Sequence, residues 1–286
     1  MSWWGKVVGG AFGMMLGGPL GALLGAALGH KFDKGLSYFS ELGRGSAKAG
    51  KADKVEIERI QSAFFTATFS VMGCVAKTDG HVTNDEIAVA QQVMDQMQLT
   101  SEQRQMARNL FNQGKQPNFP LEAVVTQFRN ECQRRVNLRR MFLEVQLLAA
   151  YADGEMKIAE RQLLIRIAEL LGLSLREFQA IERIFEATYQ FRQSSSQSGY
   201  GGQQGRQRRA DVHSEAGIAA AYRLLDVSAT ASDDEVKRAY RRMMSRNHPD
   251  KLVSKGLPEE MMRLATEKTQ EIKSAYEQIK RVRGIA

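Results

Sequence analysis

Hydrophobic and polar positions divide the chain into three regimes. From Val7 to Gly29 no side chain is ionisable, and at 1.5 Å per residue such a run spans about 35 Å as a helix, enough for the hydrocarbon core of a bilayer. From Lys54 to Phe191 apolar residues recur at helical spacing with few prolines, which predicts an all-α domain large enough to bury its own core. Residues 192–213 hold almost no core-forming side chains and are rich in Gly, Ser and Gln, so they read as a flexible tether with a reach on the order of 25 Å. Helical stripes then resume at Ile218, Tyr222 and Leu225, at Val236, Tyr240 and Met243, and at Met261, Ala265, Ile272, Tyr276 and Ile279. The fold class is all-α. Its parts are a short N-terminus (1–6), a transmembrane helix (7–29), a juxtamembrane segment (30–53), a helical domain (54–191), a linker (192–214) and a terminal helical hairpin (215–286).

Charge gives the apolar segment a direction. Lys6 alone precedes it, whereas Lys31, Lys34, Arg44, Lys48, Lys51 and Lys54 follow. The positive-inside rule therefore places the N-terminus outside and the bulk of the chain in the cytoplasm, a single-pass topology. A cleaved signal peptide fits less well: the apolar run is too long, the leading charge is meagre and no Ala-x-Ala site follows. Gly9, Gly13, Gly17, Gly21, Gly25 and Gly29 fall four residues apart, a smooth ridge along which two helices can approach closely. Homodimerisation in the bilayer is the expectation; glycines that serve only kinks or packing on other partners are the alternative.

The helical domain repeats itself. Asp79-Gly-His-Val-Thr-Asn-Asp-Glu86 is matched by Asp153-Gly-Glu-Met-Lys-Ile-Ala-Glu160 at an offset of 74, each copy leading into an amphipathic helix that ends in Met97-Gln-Leu-Thr100 or Leu171-Gly-Leu-Ser174. Asp-Gly closes one helix, Glu86 or Glu160 sits in the first turn of the next, and Val82 or Met156 plugs the corner. Two related helical hairpins packed face to face are predicted. The corners lack the alternating Asp/Asn ligands of a calcium loop, so no metal ligand is assigned. Cys74 and Cys132 are isolated in apolar surroundings without Cys-x-x-Cys spacing, which favours buried thiols over zinc or a disulfide framework.

The richest chemistry lies in the tail. Ser232 with Glu235 three residues later forms a capping-box pattern, so a helix begins there. Beyond its apolar stripe, Lys237, Arg238, Arg241, Arg242 and Arg246 crowd the rest of its surface. Pro249 disfavours helix at His248 and cannot prolong the helix before it, so His248-Pro-Asp250 is read as a turn or loop. A further helix is expected from about Pro258, antiparallel to the basic one. Together Tyr222-Arg-Leu-Leu-Asp-Val227, Val236-Lys-Arg-Ala-Tyr-Arg-Arg242, His248-Pro-Asp250 and Ile272-Lys-Ser-Ala-Tyr276 resemble the J-domain of DnaJ-type co-chaperones. The departure is Asn247, where that family often places an aromatic residue. The repeated hairpins resemble a TerB-like domain, and the order of anchor, TerB-like domain, linker and J-domain resembles the DjlA type of membrane co-chaperone.

That resemblance implies a regulator in a bacterial inner membrane, with a periplasmic N-terminus. His248, Pro249 and Asp250, with Lys237, Arg238, Arg241, Arg242 and Arg246, would bind a DnaK-type chaperone and stimulate its ATP hydrolysis, in a setting of envelope stress or capsule-related signalling. The residues agree, since a rigid turn beside a cationic face suits an acidic partner surface. No phosphate-binding loop, kinase signature or nucleophile elbow is present, so the chain is not read as an enzyme and no cofactor is assigned. A hydrolase metal built on His248 and Asp250 has few partners, because only His30, His81 and His213 accompany it. A net charge of +8 leaves a rival in a membrane-tethered nucleic-acid binder reading through the basic helix, and an adaptor with an inert J-like tail is another. The chosen reading involves no nucleic acid.

Overall fold

The computed structural model describes residues 16–28, 49–78, 80, 83–133, 135–152, 154–196, 215–258 and 261–284. They form helices and turns, without strands among the described residues. The helices are α1 (Gly18–Leu28), α2 (Ala49–Ala76), α3 (Asn84–Gln96), α4 (Ser101–Gly114), α5 (Leu121–Cys132), α6 (Val136–Ala150), α7 (Ile158–Leu170), α8 (Leu175–Ser196), α9 (Glu215–Leu224), α10 (Asp233–Asn247), α11 (Pro249–Val253) and α12 (Met262–Arg283). The chain packs as two units, one of Met1–Leu175 with Leu252–Arg263, the other of Arg176–Lys251 with Leu264–Ala286.

In the first unit α2 is the central element, packing against α4, α5 and α6. Phe64, Phe128 and Phe142 are fully buried, with ring centroids 5.6 Å apart for Phe64–Phe128, 6.2 Å for Phe64–Phe142 and 4.6 Å for Phe128–Phe142. Such edge and tilted geometries suit the aromatic quadrupole. α2 and α4 approach closely because both carry glycine at their crossing. A Cβ on Gly73 would lie 2.0 Å from the Phe111 carbonyl oxygen, and one on Gly114 would lie 1.8 Å from that of Ser70. The segment Leu252–Arg263 joins this unit, where Gln61 Nε2 donates to the Leu257 carbonyl at 3.4 Å.

The internal repeat is visible in the backbone. α3 and α7 begin and end at equivalent positions, as do the start of α4 and that of α8. Gly80 and Gly154 adopt φ of 92° and 94°, and their N–H groups donate to the Lys77 and Tyr151 carbonyls. Only a residue without Cβ takes that conformation readily, which is why Gly recurs at each corner. At the far ends, Leu99 donates to Met94 and Leu173 to Ala168, through Gln98 and Gly172 at φ of 50° and 72°. Glu160 is buried and accepts from the Lys157 N–H at 2.9 Å. Met156 is half-buried at its corner; Asp79, Val82 and Asp153 lie outside the described residues, as does the side chain of Glu86.

The apolar N-terminal segment departs from the unbroken helix expected over 7–29. Its described part is helical from Gly18 to Leu28, after a break in which Gly17 and Gly18 take φ of 56° and 55°. No helix among the described residues is long and apolar enough to cross a membrane. α1 packs instead on α2, α4 and α5, burying Leu16, Leu20, Leu24 and Ala27. Residues 7–15 and 29 lie outside the described set.

The second unit is built on α8, α9, α10 and α12. Ala187, Ala221, Leu224, Leu225, Val236, Ala239, Met243, Ile272, Ala275 and Ile279 share its core, and the Tyr240 and Tyr276 rings stack with centroids 4.2 Å apart. Two boundaries move relative to the sequence expectation. α8 runs on to Ser196, past the expected domain end at Phe191, and the rest of the tether, 197–214, lies outside the described residues. α12 begins at Met262, a turn later than Pro258, with the Met261 N–H donating to the Pro258 carbonyl at 2.9 Å.

Candidate functional site

The basic helix α10 is fixed at its N-terminus by the expected capping box. The Ser232 N–H donates to Glu235 Oε2 at 2.8 Å, and the Glu235 N–H donates to Ser232 Oγ at 3.3 Å. The bond from the Ser232 backbone, then that from its hydroxyl, holds the Glu235 carboxyl below the usual carboxylate range. With Asp233 and Asp234 beside it, the negative charge lies at the positive end of the helix dipole. Val236, Ala239 and Met243 turn inward, so Arg238, Arg241 and Arg242 stand exposed and Lys237 and Arg246 half-exposed. All five expected cations thus share one helix whose opposite face is core.

His248 ends α10 in an extended conformation, φ −60° and ψ 123°. The next step corrects the expectation of a plain loop: Pro249 opens the short helix α11, which carries Asp250 in its first turn. Proline suits that place because its φ is already helical and its missing N–H is one that a helix start leaves unbonded. The three residues therefore form a corner between helices. Asp250 is 83% exposed and His248 45%. His248 Nδ1 lies 4.0 Å from Asp250 Oδ2, beyond hydrogen-bonding reach. The carboxylate faces solvent, with the imidazole at ion-pair distance when protonated.

Asn247, the departure from the J-domain pattern, turns its side chain back along the helix and donates through Nδ2 to the Met243 carbonyl at 2.8 Å. Two residues escaped the sequence reading. Lys251 adds another exposed cation beside Asp250 and donates to Ser245 Oγ at 2.9 Å; its signal was adjacency to the tripeptide. Arg283, in the last turn of α12, donates to the carbonyls of Ala229 at 2.7 Å and Ala231 at 2.6 Å, to Asp233 Oδ1 at 3.0 Å and to the Tyr222 hydroxyl. Its guanidinium also lies 5.0 Å from the centre of the Tyr222 ring. That one side chain ties α9, the approach to α10 and α12 together, and the hydroxyl bond holds its pKa above the ordinary arginine value.

Of the glycine ridge, Gly17, Gly21 and Gly25 are described and Gly9, Gly13 and Gly29 lie outside the described residues. Gly21 is buried against the first unit, while a Cβ at Gly17 or Gly25 would meet nothing within 4 Å.

Three family models match in the order the sequence suggested: the DjlA co-chaperone transmembrane domain over residues 1–46, the tellurite resistance protein TerB over 65–183, and the DnaJ domain over 220–283. A co-chaperone protein DjlA of Vibrio cholerae is 45% identical, with all of both chains covered. That of Photobacterium profundum is 44% identical over 98% of this chain and 99% of its own. The chain belongs to the DjlA family of membrane co-chaperones. The Shewanella oneidensis DjlA, 40% identical over the whole of both chains, extends the likeness. No solved structure matches the chain significantly. In the DjlA frame, the corner at His248–Asp250 and helix α10 fall within the DnaJ match, and the 74-residue repeat within the TerB match.

Proposed function

We propose that this DjlA-family chain stimulates ATP hydrolysis by a DnaK-type chaperone through the corner His248-Pro249-Asp250 and the cations Lys237, Arg238, Arg241, Arg242 and Arg246. The observation that carries the reading is the exposed Asp250 carboxylate on a proline-set corner, directly after a helix whose outward face is cationic. Cations draw an acidic partner in and set its register, and such steering acts on the rate of encounter. Asp250 supplies an anionic acceptor that enters one specific arrangement of partner donors. Chemistry remains in the chaperone, so the chain is a regulator and not itself the enzyme.

The anchor at 7–29 holds this activity at the bacterial inner membrane, with the positively charged flank on the cytoplasmic side where ATP and the chaperone are found. Self-association along the glycine ridge brings two J-domains together. The helical domain selects what is delivered, in envelope-stress or capsule-related signalling.

The test is steady-state ATP hydrolysis by DnaK with nucleotide exchange factor and the full chain. A charged hydrogen bond is worth roughly 1.5–3 kcal/mol, so Asp250→Asn should lower stimulation at limiting co-chaperone by roughly tenfold or more while helicity and melting stay unchanged. His248→Gln should act alike. Full stimulation by both variants would overturn the reading. A nucleic-acid binder using the same helix would tolerate both changes.

A further inference from the structure

The contacts of α1 are unusual for a helix destined only for lipid. Its break at Gly17–Gly18 interrupts the helical ladder, and one side chain of α5 bonds three backbone groups there, one of them the Gly17 carbonyl that also accepts from the Gly21 N–H at 3.0 Å. Gln127 Nε2 donates to the carbonyls of Leu16 at 2.9 Å and Gly17 at 3.0 Å, and its Oε1 accepts from the Leu20 N–H at 2.9 Å. At the other end, Asn109 Nδ2 on α4 donates to the Ala27 carbonyl at 2.9 Å. Between them the Gln113 amide, in the orientation that satisfies both its atoms, donates to the Leu23 carbonyl at 3.2 Å and accepts from the Ala27 N–H at 3.1 Å. Meanwhile Leu16, Leu20, Leu24 and Ala27 are 3%, 0%, 1% and 5% exposed.

Hydrocarbon supplies neither donors nor acceptors, so a spanning helix must satisfy its backbone internally. An eleven-residue helix, about 16 Å long, falls short of the ~20 residues a span requires. The broken helix therefore suits a protein groove, whereas the unbroken apolar run 7–29 suits a bilayer. The geometry points to a binding site for an uncharged, Gly/Ala/Leu-rich helix on the helical domain, floored by apolar side chains and closed by Asn109, Gln113 and Gln127, whose occupant away from lipid is residues 16–28 of the same chain. The two homes are mutually exclusive. A chain outside the membrane keeps its anchor covered, and insertion vacates the groove. This inference rests on reading 7–29 as the anchor.

The test uses the full chain made by membrane-free translation, with a photoreactive residue replacing Ala123, which lines the same surface recess as Pro19 and Gln127. Vesicles of phosphatidylethanolamine and phosphatidylglycerol are added or withheld. Without vesicles, crosslinks should map to residues 16–28; with them, crosslinking should fall as carbonate-resistant chain accumulates. Gln127→Leu, which removes three hydrogen bonds, should cut the lipid-free crosslink by roughly tenfold or more without lowering the carbonate-resistant fraction. Asn109→Leu should weaken it from the other end. No crosslink to 16–28 without vesicles, equal crosslinking in inserted chain, or crosslinks formed only between isotopically distinct chains would each overturn the proposal. A persistent intramolecular crosslink in chain that never resists carbonate would instead remove the anchor reading and leave the groove standing.

Discussion

Arg283 holds four separate acceptors with one guanidinium, and truncating it leaves the Ala229 and Ala231 carbonyls and the Tyr222 hydroxyl without that donor. With about 1 kcal/mol per net hydrogen bond, Arg283→Ala should lower the stability of the second unit by about 2–3 kcal/mol, read as the denaturation midpoint of the J-domain core. Arg283→Lys should recover only part, because an ammonium does not reproduce the fork. The thiols make a different residue-scale prediction. Burial pushes Cys74 up to about 11 and Cys132 up to about 12, the latter despite Arg135 and Arg139 beside it. A folded pKa above the unfolded one means that native protein keeps protons the unfolded chain has released, so stability falls with rising pH through that window. From pH 9.0 upward the urea midpoint should therefore decline more steeply in the native sequence than in Cys132→Ala. Below it the two slopes should agree, and parallel decline throughout would remove thiol burial as the cause.

Helix α2 and helix α4 meet where neither tolerates a side chain. Gly73→Ala would force a methyl to 2.0 Å from a backbone oxygen, which no rotamer relieves. Separating the helices costs more than the ~1–3 kcal/mol typical of core overpacking, so a large fall in melting temperature is expected. Little change would show that the crossing opens freely. Nothing in the sequence announced this contact: Gly73 and Gly114 sit in ordinary amphipathic helices, and the partner of a helix face is a tertiary fact. By contrast the capping box at Ser232, the Asp-Gly corners and the buried stripe of Val236 and Met243 were legible, because each follows from a few neighbouring residues. Pro249 shows where local reasoning stops short. Its ring forbids prolonging α10, yet the same ring suits the opening of α11, and the choice depended on what came next. The break at Gly17 was equally hidden. An uninterrupted apolar run reads as one helix, and only Gln127, over a hundred positions away, supplies the groups that make a break tolerable.

Across the molecule, the order of apolar segment, repeated helical domain, tether and terminal helical hairpin follows from composition and periodicity, the J-domain reading of that hairpin follows from the resemblance of its motifs, and the family matches fall on the same segments. The proposed self-association along the glycine ridge belongs to the whole chain in its bilayer. Gly17→Leu with Gly21→Leu should weaken an in-membrane dimerisation signal, whereas an unaltered signal would assign the ridge to packing alone. The exposed corner at Asp250 carries a final consequence. Its proline has already fixed the backbone φ before any encounter, and its carboxylate stands 83% exposed. Ordering that backbone then costs little at the encounter, so Pro249→Ala, which frees it, should lower stimulation of a DnaK-type chaperone more at limiting than at saturating co-chaperone.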